Sequence, residues 1–158
     1  LPIPPRTLDQ LRTVDDAGAE PEQLVEDDEP GRPLRCCLRR SLPGERLVLA
    51  SYAPVRRWAA AVGAAPGAYD EVGPVFVHSD HCNGPESPAW PEQLRGRRRV
   101  LRAYSWQGRI LGGCLLDSPA RTRLAERTAG DLLLNPDVAF VQVRAVEFGC
   151  FLFEVRRA

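Results

Sequence analysis

Arg99-Val100-Leu101-Arg102-Ala103-Tyr104-Ser105-Trp106 and Arg109-Ile110-Leu111-Gly112-Gly113-Cys114-Leu115-Leu116 stand on either side of the dipeptide Gln107-Gly108. Two runs rich in β-formers, separated by two residues ending in glycine, predict an antiparallel hairpin. On the C-terminal side, Val138–Ala145 and Cys150–Arg156 repeat the pattern through Glu147-Phe148-Gly149. Between the hairpins, Ser118-Pro119 sets a capping residue before a proline, which predicts a helix start. That helix is expected to run through Leu124 and Ala125 to about Leu133, stopped by Asn135-Pro136, with Gly130 weakening its last turn.

Towards the N-terminus the signals are also mainly β. Val72–His78 is a predicted strand, and Asn83-Gly84-Pro85-Glu86-Ser87-Pro88 is strong loop punctuation. Leu34–Arg40 and Arg46–Tyr52, joined through Leu42-Pro43-Gly44-Glu45, read as another hairpin. Pro54 ends that strand, and Trp58–Val62 is a short Ala-rich helix or loop closed by Gly63. Residues 1–32 differ: a proline-rich start, a short helix capped by Thr7 and ending before Gly18, a brief strand at Gln23-Leu24-Val25, and the acidic run Glu26-Asp27-Asp28-Glu29. The expected organisation is an N-terminal arm over 1–32 packed on an α+β core over 33–158. That core is a single domain, a curved and largely antiparallel sheet with one principal helix at about 118–133.

Composition narrows the function classes. The 158 residues carry 21 basic and 21 acidic groups, so net charge is zero. A neutral chain argues against a general nucleic-acid or anionic-membrane binder, and no apolar run is long enough to span a bilayer. Arg95-Gly96-Arg97-Arg98-Arg99 is a short basic cluster, read as a solvated strand entry. Every basic residue is arginine, so any anion site uses guanidinium forks, backbone N–H groups or a helix N-terminus. The five cysteines at 36, 37, 82, 114 and 150 are odd in number and scattered, which predicts reduced thiols and a cytoplasmic protein rather than a disulfide framework.

Both histidines fall in Val77-His78-Ser79-Asp80-His81-Cys82, at the end of a predicted strand. Imidazole is the side chain that exchanges protons near neutrality, so acid–base or metal chemistry is expected here if anywhere. His78, Asp80, His81 and Cys82 offer zinc-type ligand atoms, but zinc sites usually combine two separated pairs. The second pair here is Cys36-Cys37, whose adjacency argues against joint chelation, or the distant Cys150; neither metal nor organic cofactor is expected. A cysteine nucleophile (Cys37, Cys82 or Cys150) activated by His78 or His81 is a second option, though no local protease-like signature surrounds any of them. Arginines inside apolar strands give a third, since an unpaired buried charge is costly. Arg35 and Cys37 share one face of their run, Arg102 and Tyr104 another, and Arg144 lies late in the penultimate strand.

Several segments carry a family resemblance. They are Pro30-Gly31-Arg32-Pro33-Leu34-Arg35, Pro43-Gly44-Glu45 with the Leu-rich strand to Tyr52, Gly73-Pro74-Val75-Phe76-Val77-His78, Leu101-Arg102-Ala103-Tyr104 and Gly149-Cys150-Phe151-Leu152-Phe153-Glu154. In this order, from about residue 24 to 156, the chain resembles the bacterial family catalogued as domain of unknown function 1203. Several members of that family have Pro-Cys-Arg where this chain reads Pro33-Leu34-Arg35-Cys36-Cys37. The resemblance implies a fold and a set of positions and supplies no activity.

The expected site is a pocket for a small anionic molecule. His78, Cys82 and Tyr104 are the candidate catalytic groups, and Arg35, Cys37, Tyr52, Arg102 and Arg144 the candidate substrate-binding groups. A cofactor-independent enzyme, a non-catalytic binding or scaffold protein, and a zinc-binding domain are the functions this sequence allows.

Overall fold

A computed structural model of the chain describes residues 1–27, 29 and 31–157. Asp28 of the acidic run and Pro30 of the family-like segment lie outside the described residues. The protein is α+β, with two antiparallel sheets. Its contacts divide it into two compact units, the first made of Pro2–Tyr52 and Val72–Leu94, the second of Leu1, Ala53–Glu71 and the chain from Arg95 onwards.

The first unit holds a three-stranded sheet ordered β1-β2-β3, with β1 at Glu22–Val25, β2 at Arg46–Tyr52 and β3 at Gly73–His78. β2 pairs antiparallel with both neighbours, and Leu47 stands opposite His78. Consecutive Leu47 and Val48 are both fully buried, so this central strand is covered on both faces. Helix α1, Pro5–Leu11, begins with a proline at its first turn and buries Leu8 and Leu11. Thr7 is therefore inside that helix rather than its cap, and Pro4 takes the capping position.

Leu34–Arg40 is not a strand. Both edges of β2 are already occupied by β1 and β3, so the segment cannot pair there and makes only single bridges, Leu34 with Phe76 on β3 and Pro33 with Arg40. The segment closes on itself instead. Leu34 N–H donates to Arg39 C=O at 2.8 Å, and Leu38 N–H to Leu34 C=O at 3.0 Å. Leu38 takes φ 61°, the one positive φ outside glycine among the described residues. The loop is docked on β3 through Arg35 N–H to Phe76 C=O at 2.9 Å, while the buried Leu34 anchors it to the core. Burial of a leucine of this kind is worth about 1.5–3 kcal/mol.

The second unit holds a four-stranded sheet ordered β5-β4-β6-β7: β4 at Arg99–Ser105, β5 at Ile110–Leu116, β6 at Val138–Ala145 and β7 at Phe151–Val155. Both expected hairpins are present. Helix α2, Pro54–Val62, starts on the proline that ends β2 and stops at Gly63 in the left-handed conformation. Its Trp58 meets Phe140 at 4.8 Å, and Tyr104 stacks on Phe140 at 4.9 Å and 12°. The expected single helix at 118–133 is two, α3 at Pro119–Arg123 and α4 at Ala125–Leu133. Ser118 caps α3 as its position predicts, accepting from Arg121 N–H. The chain breaks at Leu124 (φ −95°, ψ 7°), just after Thr122 bonds back to the Pro119 carbonyl at 3.2 Å. Among the described residues no helix is long and apolar enough to cross a membrane.

Two glycines test this packing with opposite signs. A Cβ on Gly113 falls 2.2 Å from the Leu101 carbonyl oxygen across the β4–β5 ladder, so Gly113→Ala must displace backbone. It should destabilise by about 1–3 kcal/mol, as overpacking does. Gly130 is exposed on α4 with nothing near its Cβ direction. Gly130→Ala should stabilise by about 0.5–1 kcal/mol. Urea denaturation of the two variants checks both.

Candidate functional site

The closed loop at 34–39 and the end of β3 bring four ligand-type groups into one place. The sulfurs of Cys36, Cys37 and Cys82 and a ring nitrogen of His78 all lie within 4.8 Å of one another. Adjacency in sequence does not separate the first two sulfurs: the turn at Leu38 points both inward, 3.9 Å apart. His78 Nδ1 sits 3.4 Å from the Cys36 sulfur and 4.0 Å from that of Cys37. Cys36 and Cys37 are buried, whereas His78 and Cys82 are half-buried, so the cluster is reached from the side of the 78–82 segment.

Backbone N–H groups support the sulfurs. His78 N–H points at the Cys36 sulfur at 3.4 Å, and Arg39 N–H at that of Cys37. The other face of the imidazole is also held. Its Nε2 lies 3.4 Å from a Glu45 carboxylate oxygen, and Arg39 donates to Glu45 at 2.6 and 3.0 Å. A carboxylate facing one ring nitrogen orients the ring and aims the other nitrogen at its target. From the C-cap of helix α1, Arg12 clamps the main chain, donating to the carbonyls of His78 at 3.0 Å and Asp80 at 2.7 Å.

The charges form a coupled set. The Cys37 thiol is pulled below its ordinary value, first by a hydrogen bond from Cys36 and then, against burial, by His78. Cys36 is correspondingly pushed up by its bond to Cys37 and by burial. His78 is pushed up to about 9, principally by its hydrogen bond to Cys37 and against burial, with Cys82 adding to it. Arg39 holds Glu45 down at about 2. At neutral pH the cluster is a thiolate–imidazolium pair flanked by an arginine–carboxylate pair.

Of the expected site residues, the structure gathers Cys37, His78 and Cys82 here and adds Cys36. Asp80 turns outward to an exposed ion pair with Arg46 at 2.6 Å, and His81 is exposed beside Asn83. Arg35 is buried and turns its guanidinium back to the Pro33 carbonyl. Tyr52 is buried at the end of β2. Arg102, Tyr104 and Arg144 belong to the second unit, as a separate group. Glu45 is the group that sequence reasoning passed over, while Arg39 entered it only as sharing a strand face with Arg35 and Cys37. Glu45 looked like turn punctuation, and only the β2–β3 register, Leu47 against His78, shows that it comes beside the imidazole.

The linked titrations set a pH dependence. Between pH 6.5, where a free histidine titrates, and about 9, folded and unfolded chains each hold one proton on this pair, so its contribution is flat. Below 6.5 the unfolded chain carries two protons against one in the folded state. Stability is therefore lost as pH falls. Chelator-treated protein should show the stability gap between wild type and Cys37→Ser shrinking below pH 6.5 and constant up to about 9, read by urea denaturation at each pH.

The family model described as "Protein of unknown function (DUF1203)" matches residues 31–157, a span that takes in Cys36, Cys37, Glu45, His78 and Cys82. No curated protein and no solved structure matches the chain. With the match covering most of its length, the chain belongs to the DUF1203 family.

Proposed function

We propose that the first unit holds a zinc-class metal ion on Cys36, Cys37, Cys82 and His78 Nδ1. The observation that carries this reading is the convergence of three sulfurs and one imidazole nitrogen within 4.8 Å. Zn–S bonds of about 2.3 Å and a Zn–N bond of about 2.0 Å, at tetrahedral angles, imply S···S edges of about 3.8 Å and S···N edges of about 3.5 Å. The 3.9 Å between the Cys36 and Cys37 sulfurs and the 3.4 Å from Cys36 to His78 already match those edges. Cys82 sits before the Asn83-Gly84 turn, whose backbone can draw the fourth ligand inward.

The surroundings fit a bound metal as well. Three thiolates with one divalent ion leave a net negative charge, which Arg39 faces through its contact with His78 Nε2 at 3.2 Å. Glu45 supplies the carboxylate that metal-bound histidines ordinarily engage with their second nitrogen. Soft sulfur ligands in a tetrahedral S₃N arrangement favour zinc over harder cations. A closed four-ligand set of this kind is a structural centre, tying the 34–39 loop to the end of β3.

A second reading has one observation in its favour. The lowered Cys37 thiol beside His78 is the arrangement of an activated cysteine nucleophile in a cofactor-independent enzyme. Cys37 is only 9% exposed, which limits attack on a substrate and makes the metal reading the stronger one.

Elemental analysis of protein purified without chelator, or reconstituted with zinc, should give about one zinc per chain. Cobalt substitution should produce the intense visible bands of a tetrahedral thiolate site. Cys82→Ser should lose most of the metal, and Glu45→Gln should weaken binding about 10–100-fold while keeping the ligand set. Less than about one-fifth of a zinc per chain in both preparations, with Cys37 alkylated rapidly at neutral pH, would overturn the metal reading in favour of the nucleophile.

A further inference from the structure

The second unit carries a group of polar side chains that the metal centre does not use. Arg102 on β4 stands directly opposite Gln142 on β6, and Val100 opposite Arg144. Arg102, Tyr104, Gln142 and Arg144 therefore share one face of the sheet. Next to the stacked Tyr104 and Phe140, this face turns from apolar to cationic.

One carboxylate serves both guanidiniums. The same Glu71 oxygen accepts from Arg102 at 2.7 Å and lies 3.1 Å from a guanidinium nitrogen of Arg144. Two cations on one anion leave a positive charge in excess at a place where water is scarce. The Arg144 side chain is 12% exposed, and burial lowers its affinity for its proton. Glu71 itself is 41% exposed and lies in the irregular segment before β3, so it sits over the arginines from outside.

The neutral polar groups beside the arginines have donors to spare. Gln142 is completely buried; its Oε1 accepts from Arg144 at 2.9 Å, while its Nε2 has no hydrogen-bond partner among the described residues. Turning the amide over sets N–H against N–H, so Arg144 fixes its orientation. Tyr104 is also fully buried, and its hydroxyl oxygen faces Arg102 at 3.5 Å, leaving its proton to give. Burial raises that hydroxyl above its ordinary value and keeps it protonated. A buried amide N–H without an acceptor is costly, and a structural ion pair alone does not explain it.

We propose that Arg102, Arg144, Gln142 and Tyr104 form a binding site for a small oxyanion, a carboxylate or a phosphate, whose oxygen takes the place that the Glu71 carboxylate holds. Guanidinium groups with neutral donors beside them select planar or tetrahedral oxyanions over neutral ligands. Glu71 is then a competing internal ligand. Its removal tightens binding, where loss of a merely structural partner gives no such gain.

The experiment titrates the whole chain with inorganic phosphate and, separately, with acetate, following the Gln142 side-chain amide by nitrogen-correlated NMR. Calorimetry runs in parallel. In wild type the Gln142 amide should shift saturably with at least one anion, and the tighter of the two identifies the ligand class. Glu71→Gln, an exposed change, should tighten binding about tenfold, and Arg144→Gln should weaken it at least about tenfold. Unfolding curves confirm that each variant is folded, and Arg102→Gln takes the place of Arg144→Gln if that variant is not. A Gln142 amide indifferent to both anions in wild type and in Glu71→Gln would overturn the proposal. So would binding unchanged between Glu71→Gln and wild type. Neither result bears on the metal content of the first unit.

Discussion

A single main-chain hydrogen bond, from Arg35 N–H to the carbonyl of Phe76, sets the geometry on which the metal-type cluster depends. It docks the 34–39 loop against β3 two residues before His78. Everything else at the cluster follows from that placement: Cys36 and Cys37 arrive at the strand end, and His78 N–H meets the Cys36 sulfur. The bond lasts because both sides are anchored by burial. Leu34, Val75 and Val77 are all within 1% of complete burial. Moving the loop therefore means exposing apolar surface as well as breaking one hydrogen bond.

The two polar centres solve the cost of burying charge in opposite ways. At the cysteine cluster, thiolate and imidazolium neutralise each other, and the Arg39–Glu45 pair repeats the arrangement one step further out. Desolvation of each charge is offset by a neighbour of opposite sign. At the arginine face of the second unit the balance does not close. Two guanidiniums share one carboxylate and a buried amide N–H lacks an acceptor. The first group balances its charges internally, whereas the second leaves a surplus of donors.

Leu38 illustrates how local strain serves such a site. A leucine at φ 61° is disfavoured by its Cβ, and a glycine would take the conformation more easily. Its side chain is nevertheless buried, so packing holds the backbone in place. The return for that strain is a pair of adjacent sulfurs on one side of the chain, which an extended strand would send to opposite faces.

Strand periodicity and turn chemistry were legible from the residues themselves. The hairpins at 99–116 and 138–155, the strand into His78 and the cap at Ser118 rest on contacts between near neighbours, which sequence reports directly. The concentration of both histidines beside Cys82 also pointed to the segment where the cysteine–histidine cluster lies, although His81 stays outside it. Three things depended on partners distant in sequence. Leu34–Arg40 has strand composition, but β1 and β3 occupy both edges of β2, and competition for a ladder is invisible in a local window. Among the described residues seven strands form two sheets rather than one curved sheet, because partner choice follows from packing. Finally, the union of Cys36 and Cys37 with His78, and of Arg102 and Arg144 on Glu71, spans more than thirty residues of chain in each case. Sequence determined which chemical groups the protein owns and the local elements that carry them. The tertiary structure alone decided which of them meet, because burial and strand pairing act between residues that no sequence period connects.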